Sequence, residues 1–296
     1  MWLDAAGIEV SLWLPPLVGF AISVFTSMGG VSGAFLLLPF QVSVLGFTSP
    51  AVSATNQVFN VVATPSGVYR YLREGRMVWP LAWTIVAGAL PGTAVGALLR
   101  ITWLPEARDF KLFVGAVLLY MGVRLAGDIL WPKGAPEGGA RAGSVVPVRS
   151  RSHIAYHYGG ELFRARRLGV FALAAVVGVI GGAYGIGGGA LIAPFLVSVF
   201  ALPVHTVAGA ALLGTLVTSV AGIGFYHLIA PFYPEMAVAP EWGLGLLFGL
   251  GGAVGMYAGA RLQRYVSGRA LKGILVVGLL TPALSYLYQF FGSSAF

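Results

Sequence analysis

Long apolar stretches separated by shorter polar connections dominate the chain. Six of them are about 20 residues long or longer and carry few charges, which is what an α-helix needs to cross a hydrocarbon core of roughly 30 Å. They cover residues 50–72, 78–99, 110–131, 204–229, 241–262 and 271–291. This pattern predicts an all-α polytopic membrane protein.

Two further apolar segments, residues 17–46 and 170–201, are interrupted near their middle by glycine-rich sequence. A continuous helix of about 30 residues would be about 45 Å long, which exceeds the hydrocarbon core, whereas each half alone is short for a crossing. We therefore expect each segment to be a broken helix pair.

The chain contains an internal duplication. A shift of 155 positions aligns a series of residues in the first half with identical residues in the second, and a shift of 163 aligns two series of glycines spaced four residues apart, called the glycine ladders. The first shift pairs Gly30, Pro39, Gly67 and Tyr71 with Gly185, Pro194, Gly222 and Tyr226, and the second pairs Gly88, Gly92 and Gly96 with Gly251, Gly255 and Gly259. Residues 1–131 and 168–296 are thus two membrane repeats, an organisation typical of secondary transporters that hold substrate where the repeats meet.

The distribution of basic residues predicts the orientation of the spans. Arginine and lysine cluster in residues 70–76, 133–167 and 261–272, whereas residues 230–240 contain neither. Basic connections usually lie on the cytoplasmic side of a membrane, so the three basic connections are expected inside. Residues 230–240 are expected outside, as are both termini and residues 99–111. These assignments agree if each broken segment is re-entrant, leaving three crossings per repeat and inverting the second copy. Eight full spans with parallel repeats are the alternative.

Residues 132–167 form the one sizeable polar connection, rich in Gly, Pro, Arg and Ser. We interpret it as a mobile cytoplasmic linker, or alternatively as a binder of lipid headgroups or an anionic regulator. The net charge of +8 is concentrated in such connections, so it indicates membrane orientation rather than nucleic-acid binding. The chain has no cysteine, which excludes disulfides and thiol chemistry.

The two glycine breaks are candidate anion sites. Non-helical backbone at membrane depth must face protein or a polar cavity, and a helix that restarts there presents free N–H groups to an anion. A simple kink or close helix packing is the alternative. The residues predicted to bind substrate at the breaks are Gly29, Gly30, Ser32, Gly33, Gly185, Gly187 and Gly188.

A polar stripe follows each break on the next helix. Asn56, Asn60 and Thr64 recur every fourth residue and share one face, and Gln57 flanks them. The 155-residue shift places Thr215 and Ser219 at the positions of Asn60 and Thr64, so these residues complete the predicted substrate site. Neutral hydrogen-bonding groups suit an oxyanion, although such groups also link helices to one another in membranes.

Acidic residues are absent from the middle of every predicted span, so neither a metal site nor a carboxylate relay for protons or sodium is expected, and no cofactor is predicted. The glycine ladders have the small-xxx-small spacing of helix packing faces, which serve a homodimer as readily as the fold.

One enzyme-like motif is present. Gly30-Val31-Ser32-Gly33 matches the GxSG pattern of intramembrane serine proteases, with His227 or His205 as a conceivable base. The match is short, and Ser32 aligns with Gly187 in the second repeat, which indicates selection for backbone freedom rather than for a hydroxyl. We therefore predict that the protein is not an enzyme.

GVSGAFLLLPF and GIGGGALIAPF, each followed by one of the polar-striped helices, resemble the two copies found in the sulfite exporter TauE/SafE family. The resemblance covers nearly all of residues 15–290. It implies a permease in the cytoplasmic membrane of a prokaryote that moves small sulfur-containing anions such as sulfite or an organosulfonate. We expect export, with import or a channel for another small anion as alternatives, and membrane lipids as the other partners.

Overall fold

The computed structural model describes residues 2–3, 7–28, 32–130, 145–148, 150–262 and 268–292. Gly29, Gly30 and the first part of the central connection lie outside the described residues. Helices dominate the described ranges. They are α1 Leu14–Met28, α2 Ala34–Ser43, α3 Ala51–Arg73, α4 Trp79–Thr102, α5 Ala107–Leu130, α6 Arg167–Tyr184, α7 Ile192–Val199, α8 Val204–Ile229, α9 Trp242–Leu262 and α10 Gly268–Gly292, with a 3₁₀ turn at Ala230–Phe232.

The predicted membrane character is confirmed. Within the described ranges six helices, α4, α5, α6, α8, α9 and α10, are long and apolar enough to cross a membrane. Two assignments differ from the sequence prediction. Helix α6 is one half of a broken segment, and the sequence predicts that each half is short for a membrane crossing. With 18 residues, α6 is nevertheless long enough to be a candidate span by itself. Helix α3 does not qualify despite its 23 residues, because its polar stripe lowers its hydropathy; it is largely buried among other helices instead.

Short strands correct the all-helical expectation. Strands β1 Trp2–Leu3 and β2 Ile8–Glu9 pair near the start of the chain. Strands β3 Val146–Val148, β4 His153–Tyr158 and β5 Glu161–Arg166 form an antiparallel sheet in the second half of the connection that was interpreted as a linker. Gly159 and Gly160 join β4 to β5 with φ values of 60° and 83°, as a two-residue hairpin requires.

The three-stranded sheet is attached to the helical body. The hydroxyl of buried Tyr156 lies 2.7 Å from the hydroxyl of Thr206 on α8. Burial raises the pKa of Tyr156 to about 12, so this hydroxyl keeps its proton at neutral pH.

Helices of one repeat pack mainly on helices of the other. Helix α1 lies along α9, and the equivalent α6 lies along α4. Helices α3 and α8 pack against each other and also against α9 and α4, respectively, which places them at the centre. The outer pair is α5 with α10.

The glycine ladders are packing faces inside this fold, which is one of the two roles that their spacing predicts. Gly88 faces Phe171 and Ala174, and Gly96 faces Val179, so α4 and α6 run in the same direction with their backbones in contact. Gly251 and Gly259 likewise lie against α1. Because both ladders are covered within one chain, they do not supply the surface of the predicted homodimer.

Helices α3 and α8, which are equivalent in the two repeats, cross in opposite directions. Gln57 contacts Gly222, while Gly67 contacts Leu212. The 155-residue shift converts each of these contacts into the other, so a local two-fold relation passes between the two helices. The outer pair behaves in the same way, since Gly115 of α5 lies against Tyr286 of α10.

The short helices turn back toward the end of the molecule from which the chain came. A Cβ atom on Gly169, near the start of α6, would lie 3.2 Å from the ring of Phe200, directly after α7. In the first repeat α1 begins near the start of α9, and α3, which follows α2, begins there too, because the Ala51 amide donates to the Ala237 carbonyl at 3.0 Å.

We expect Gly92→Val to destabilise the protein, because a side chain at this position would meet the backbone of α6 at Ala175 and Val179. Overpacking of this kind typically costs about 1–3 kcal/mol. Thermal unfolding in detergent measures the effect. The matched control is Gly127→Val on α5, where an added Cβ meets nothing within 4 Å. Equal unfolding midpoints for the two variants would contradict the packing described for α4 and α6.

Candidate functional site

The break between α6 and α7 is held by backbone conformations that favour glycine. Gly185 and Gly187 have φ values of 83° and 74°. A Cβ on Gly185 would lie 2.6 Å from the Cα atom of Ser53 on α3, and one on Gly187 would lie 2.9 Å from the hydroxyl of Ser219 on α8. The break is therefore wedged between the two central helices, and both positions require a residue without a side chain.

The break between α1 and α2 makes the equivalent contact. The Ser32 hydroxyl donates to Oδ1 of Asn60 at 2.6 Å and accepts the Ala34 amide at 3.3 Å. Ser32 and Asn60 correspond in the other repeat to Gly187 and Thr215, which also touch. Each break thus lies against the same level of the polar-striped helix that follows it.

Main-chain amides at the second break already have protein partners. The Gly188 amide donates to the Thr218 hydroxyl at 3.0 Å, and the Ala190 amide to the Gly187 carbonyl at 3.4 Å. Helix α7 begins at Ile192, four residues after Gly188, and α2 begins at Ala34. The expectation of a free amide for an anion is therefore not met at Gly188 in this conformation.

Several residues of the predicted stripe serve the helices themselves. Asn56 donates to the Ala34 carbonyl at 2.9 Å and accepts from Nε2 of Gln41 at 3.3 Å, which ties α2 to α3. Thr64 and Thr215 donate to carbonyls one turn earlier in their own helices, at 2.7 and 3.1 Å. For these three residues the alternative of structural hydrogen bonding fits the contacts.

Other residues of the stripe are buried without partners. Both polar atoms of the Gln57 side chain, Nδ2 of Asn60 and Oγ of Ser219 lack hydrogen bonds among the described residues, and all three residues are fully buried. The antiparallel register of α3 and α8 puts Asn60 at the level of Ser219. An unsatisfied buried polar group costs about 1–3 kcal/mol, and water or a polar ligand that hydrogen-bonds to these groups would recover that cost.

The buried polar side chains of this region are neutral. Among the described residues no carboxylate is buried, and no cluster of His, Asp and Glu could hold a metal. The unpartnered groups include two amide donors, on Gln57 and Asn60, and one hydroxyl. Such neutral donors bind oxyanions without the repulsion that a carboxylate would add.

Arg100 is a buried residue that the sequence analysis placed in an outer connection. It lies in α4 and is fully buried. Its guanidinium stacks over the ring of Phe110 at 3.7 Å and donates to the carbonyls of Thr48, at 2.7 Å, and Leu104. Both ion pairs of the described residues use Glu74, so neither neutralises this charge. The signal was present, because Arg100 continues the four-residue spacing of Gly88, Gly92 and Gly96.

Tyr184 was also missed. Proline at position 39 lacks an N–H, which leaves the Phe35 carbonyl in α2 without its helical partner. The hydroxyl of buried Tyr184, at the end of α6, donates to that carbonyl at 2.8 Å. A residue beside the second break therefore stabilises the short helix that follows the first.

The outer helices hold the short helices at matched positions. Tyr286 of α10 bonds to the Pro39 carbonyl at 3.3 Å, and Arg124 of α5 bonds to the Pro194 carbonyl at 3.1 Å. Pro39 and Pro194 are equivalent in the two repeats. Helix α10 thus holds α2, and helix α5 holds α7, each through one hydrogen bond to a proline carbonyl.

The central region is closed to solvent at Gln57, Asn60 and Ser219, which have no exposed surface in this structure. Two cavities of about 750 and 300 Å³ lie at the end of the molecule that bears the three-stranded sheet, and neither is lined by a predicted substrate residue. The hydroxyl of Ser32 is bonded to Asn60, which is not a base, and His227 is exposed; the side chain of His205 lies outside the described residues.

We expect Tyr184→Phe to lower the free energy of unfolding by about 1–3 kcal/mol, because the Phe35 carbonyl would lose its donor in a buried position. Chemical or thermal unfolding measures the loss. Tyr288→Phe is the control, since Tyr288 is 79% exposed, and it should change stability little. A Tyr184 variant as stable as its control would show that the link between the repeats contributes nothing.

Comparison with known proteins agrees with this architecture. The chain is 21% identical to "Probable membrane transporter protein YunE" of Bacillus subtilis, over 92% of this chain and 96% of that protein. It is 22% identical to "Probable membrane transporter protein y4hK" of Sinorhizobium fredii, over 96% and 99% of the two chains. A "Probable membrane transporter protein" of Xylella fastidiosa is 27% identical, over 91% and 90%. No solved structure gives a significant match.

The sequence profile of the family described as "Sulfite exporter TauE/SafE" matches residues 16–286, which include both repeats and both breaks. The resemblance inferred from the two glycine-rich motifs is confirmed. The chain belongs to the sulfite exporter TauE/SafE family and is a multi-pass membrane transporter.

Proposed function

We propose that this transporter moves a small sulfur-containing oxyanion, such as sulfite or an organosulfonate, and binds it where α3 and α8 cross between the two breaks. The observation that carries the proposal is the set of buried, unpartnered polar groups on Gln57, Asn60 and Ser219. An oxyanion has several acceptor oxygens, and the amide donors would satisfy them while recovering the cost of their own burial.

The charge distribution supports an anion over a cation. The described interior contains no carboxylate, and its one buried charged residue is Arg100. Arg100 lies near Thr48, at the end of the molecule where α3 begins. A positive charge there, neutralised only by carbonyl dipoles, would stabilise an anion passing that end of the molecule and repel sodium or potassium.

The repeats would supply alternating access. We place the second repeat inverted in the membrane, with α1–α2 and α6–α7 as re-entrant pairs that approach the site from opposite faces. The antiparallel crossing of the equivalent helices α3 and α8 supports this arrangement, as does the proximity of Gly169 and Phe200 at the two ends of α6–α7. Such repeats can rock around a fixed central site and open it to one side at a time.

Export agrees with the energetics of an inner membrane whose cytoplasmic side is negative. Each negative charge that leaves is favoured by about 2.3 kcal/mol per 100 mV, so an outward uniporter needs no coupling carboxylate. We place the basic connections on the cytoplasmic side and both termini outside. Import, or a channel for another small anion, is the alternative direction or mode of the same site.

Flux measured in proteoliposomes tests the substrate and the direction. Sulfite, sulfate, thiosulfate and taurine are compared, each with and without a pH gradient and a membrane potential. We expect sulfite or a sulfonate to move and its efflux to increase when the interior is negative. If none of these anions moves under any gradient, the proposed substrate class is wrong.

We expect Gln57→Leu to abolish anion flux without destabilising the protein. The Gln57 amide makes no hydrogen bond among the described residues, so an apolar side chain of similar size removes a substrate contact at no structural cost. Flux and thermal unfolding are measured together, with Gln289→Leu on exposed α10 as control. Undiminished flux in a stable Gln57 variant would remove this residue from the site.

Two substitutions separate transport from proteolysis. Gly187→Leu should block flux, because the added side chain would collide with Ser219 and Thr215. Ser32→Ala should reduce flux by no more than about fivefold, the value of one neutral hydrogen bond. A serine protease predicts instead that Ser32→Ala eliminates all activity; complete loss of flux in a folded Ser32 variant would therefore contradict the assignment.

A further inference from the structure

The larger cavity, of about 750 Å³, lies where α4 and α6 begin. Its lining includes three arginines, Arg151 from the bend before β4, Arg166 from the end of β5 and Arg167 from the first position of α6, together with Ser152; these four residues are called the basic wall. Trp83, Phe171 and Leu168 also line the cavity and are called the apolar wall. The cavity therefore combines a strongly basic lining with an apolar one.

The basic wall carries uncompensated charge. Arg151, Arg166 and Arg167 are exposed, and the ion pairs among the described residues are both made by Glu74. Among the described residues the Arg167 guanidinium donates to a carbonyl, that of Ser150, at 3.5 Å, and to no carboxylate. Three guanidinium groups around one space attract a group with at least one full negative charge and several acceptor oxygens, as a phosphate diester has.

The apolar wall points to a ligand with hydrocarbon chains. Trp83 and Leu168 are 57% and 64% exposed, and Trp83 stacks on the exposed Trp79 with ring centroids 6.4 Å apart. These residues occupy the first turns of two helices that are long and apolar enough to span a membrane. Exposed tryptophans at such positions lie at the level of lipid headgroups, with the acyl chains beside the turns that follow.

We propose that this cavity is a binding site for one anionic phospholipid, whose phosphate contacts the three arginines and whose acyl chains lie along Trp83 and Phe171. The site is distinct from the α3–α8 crossing and does not depend on which anion is transported. By joining the three-stranded sheet to the first turns of α4 and α6, the lipid would fix the sheet against the helical body.

A soluble phosphate would use the basic wall alone. It would leave Trp83, Phe171 and Leu168 without a partner, which is why the structure favours a lipid over a free phosphate. The two sources are separable, because only the lipid depends on the apolar wall.

Native mass spectrometry of the full chain in detergent tests the site, with phosphatidylglycerol as the anionic probe and phosphatidylcholine as the zwitterionic one. The triple variant Arg151→Gln, Arg166→Gln and Arg167→Gln removes the basic wall. The matched control removes the same charge elsewhere, through Arg73→Gln, Arg261→Gln and Lys272→Gln. Each arginine that contacts the bound phosphate should contribute about fivefold, so the cavity variant should weaken phosphatidylglycerol binding on the order of 100-fold, whereas basic residues away from the cavity make no such contact.

The control variant should bind phosphatidylglycerol within about fivefold of the unmodified chain, and phosphatidylcholine should bind weakly to all forms. Equal losses in the two triple variants would overturn the proposal, as would equal binding of the two lipids. Trp83→Gln and the single change Arg151→Gln test the two walls separately if the triple variant does not fold; both should weaken lipid binding. Displacement of the lipid by glycerophosphate or inorganic phosphate would assign the site to a soluble phosphate instead.

Discussion

The antiparallel crossing of α3 and α8 is the contact on which the rest of the structure depends. Gln57 contacts Gly222, and further along the two helices Gly67 contacts Leu212. Each contact is the equivalent of the other in the second repeat. On either side of the crossing, stripe residues contact the break of their own repeat: Asn60 accepts from Ser32, and Ser219 lies beside Gly187. The crossing therefore brings both breaks and the buried polar groups into one region, and it sets the antiparallel relation between the two equivalent helices.

Glycine makes this arrangement possible at two levels. In α4 and α9 it removes side chains where another backbone must pass, and at Gly185 and Gly187 it allows left-handed conformations beside Ser53 and Ser219. Pro39 leaves the Phe35 carbonyl of α2 without its helical donor, and Tyr184 of the other repeat supplies one. Tyr286 and Arg124 also donate across the repeats, to the Pro39 and Pro194 carbonyls. Buried backbone polar groups are thus satisfied across repeats, as hydrocarbon requires.

Sequence patterns predicted the long helices, the glycine packing faces and the family, because hydrophobic length and small-residue spacing are local properties. They did not predict which polar residues would be free. Asn56 and Gln57 are adjacent in sequence, yet Asn56 is fully bonded to α2 and Gln41 while Gln57 has no partner, a difference set by tertiary packing. The sequence patterns did not predict the three-stranded sheet, although Gly159-Gly160 is a hairpin signal. They also did not predict that Arg100 is buried, because a basic residue near the end of a span is typical of a solvated connection.

Ser219 is fully buried in this structure, and transport through the α3–α8 crossing requires it to become accessible to water. The chain has no cysteine, so Ser219→Cys introduces a unique thiol. We expect a small, charged thiol reagent to label it in transporting proteoliposomes, faster than it labels Leu228→Cys, whose parent side chain is 74% exposed on the outer surface of α8. The transported anion should slow labelling of the Ser219 variant only. A thiol at position 219 that stays unlabelled while the protein transports its anion would contradict the account.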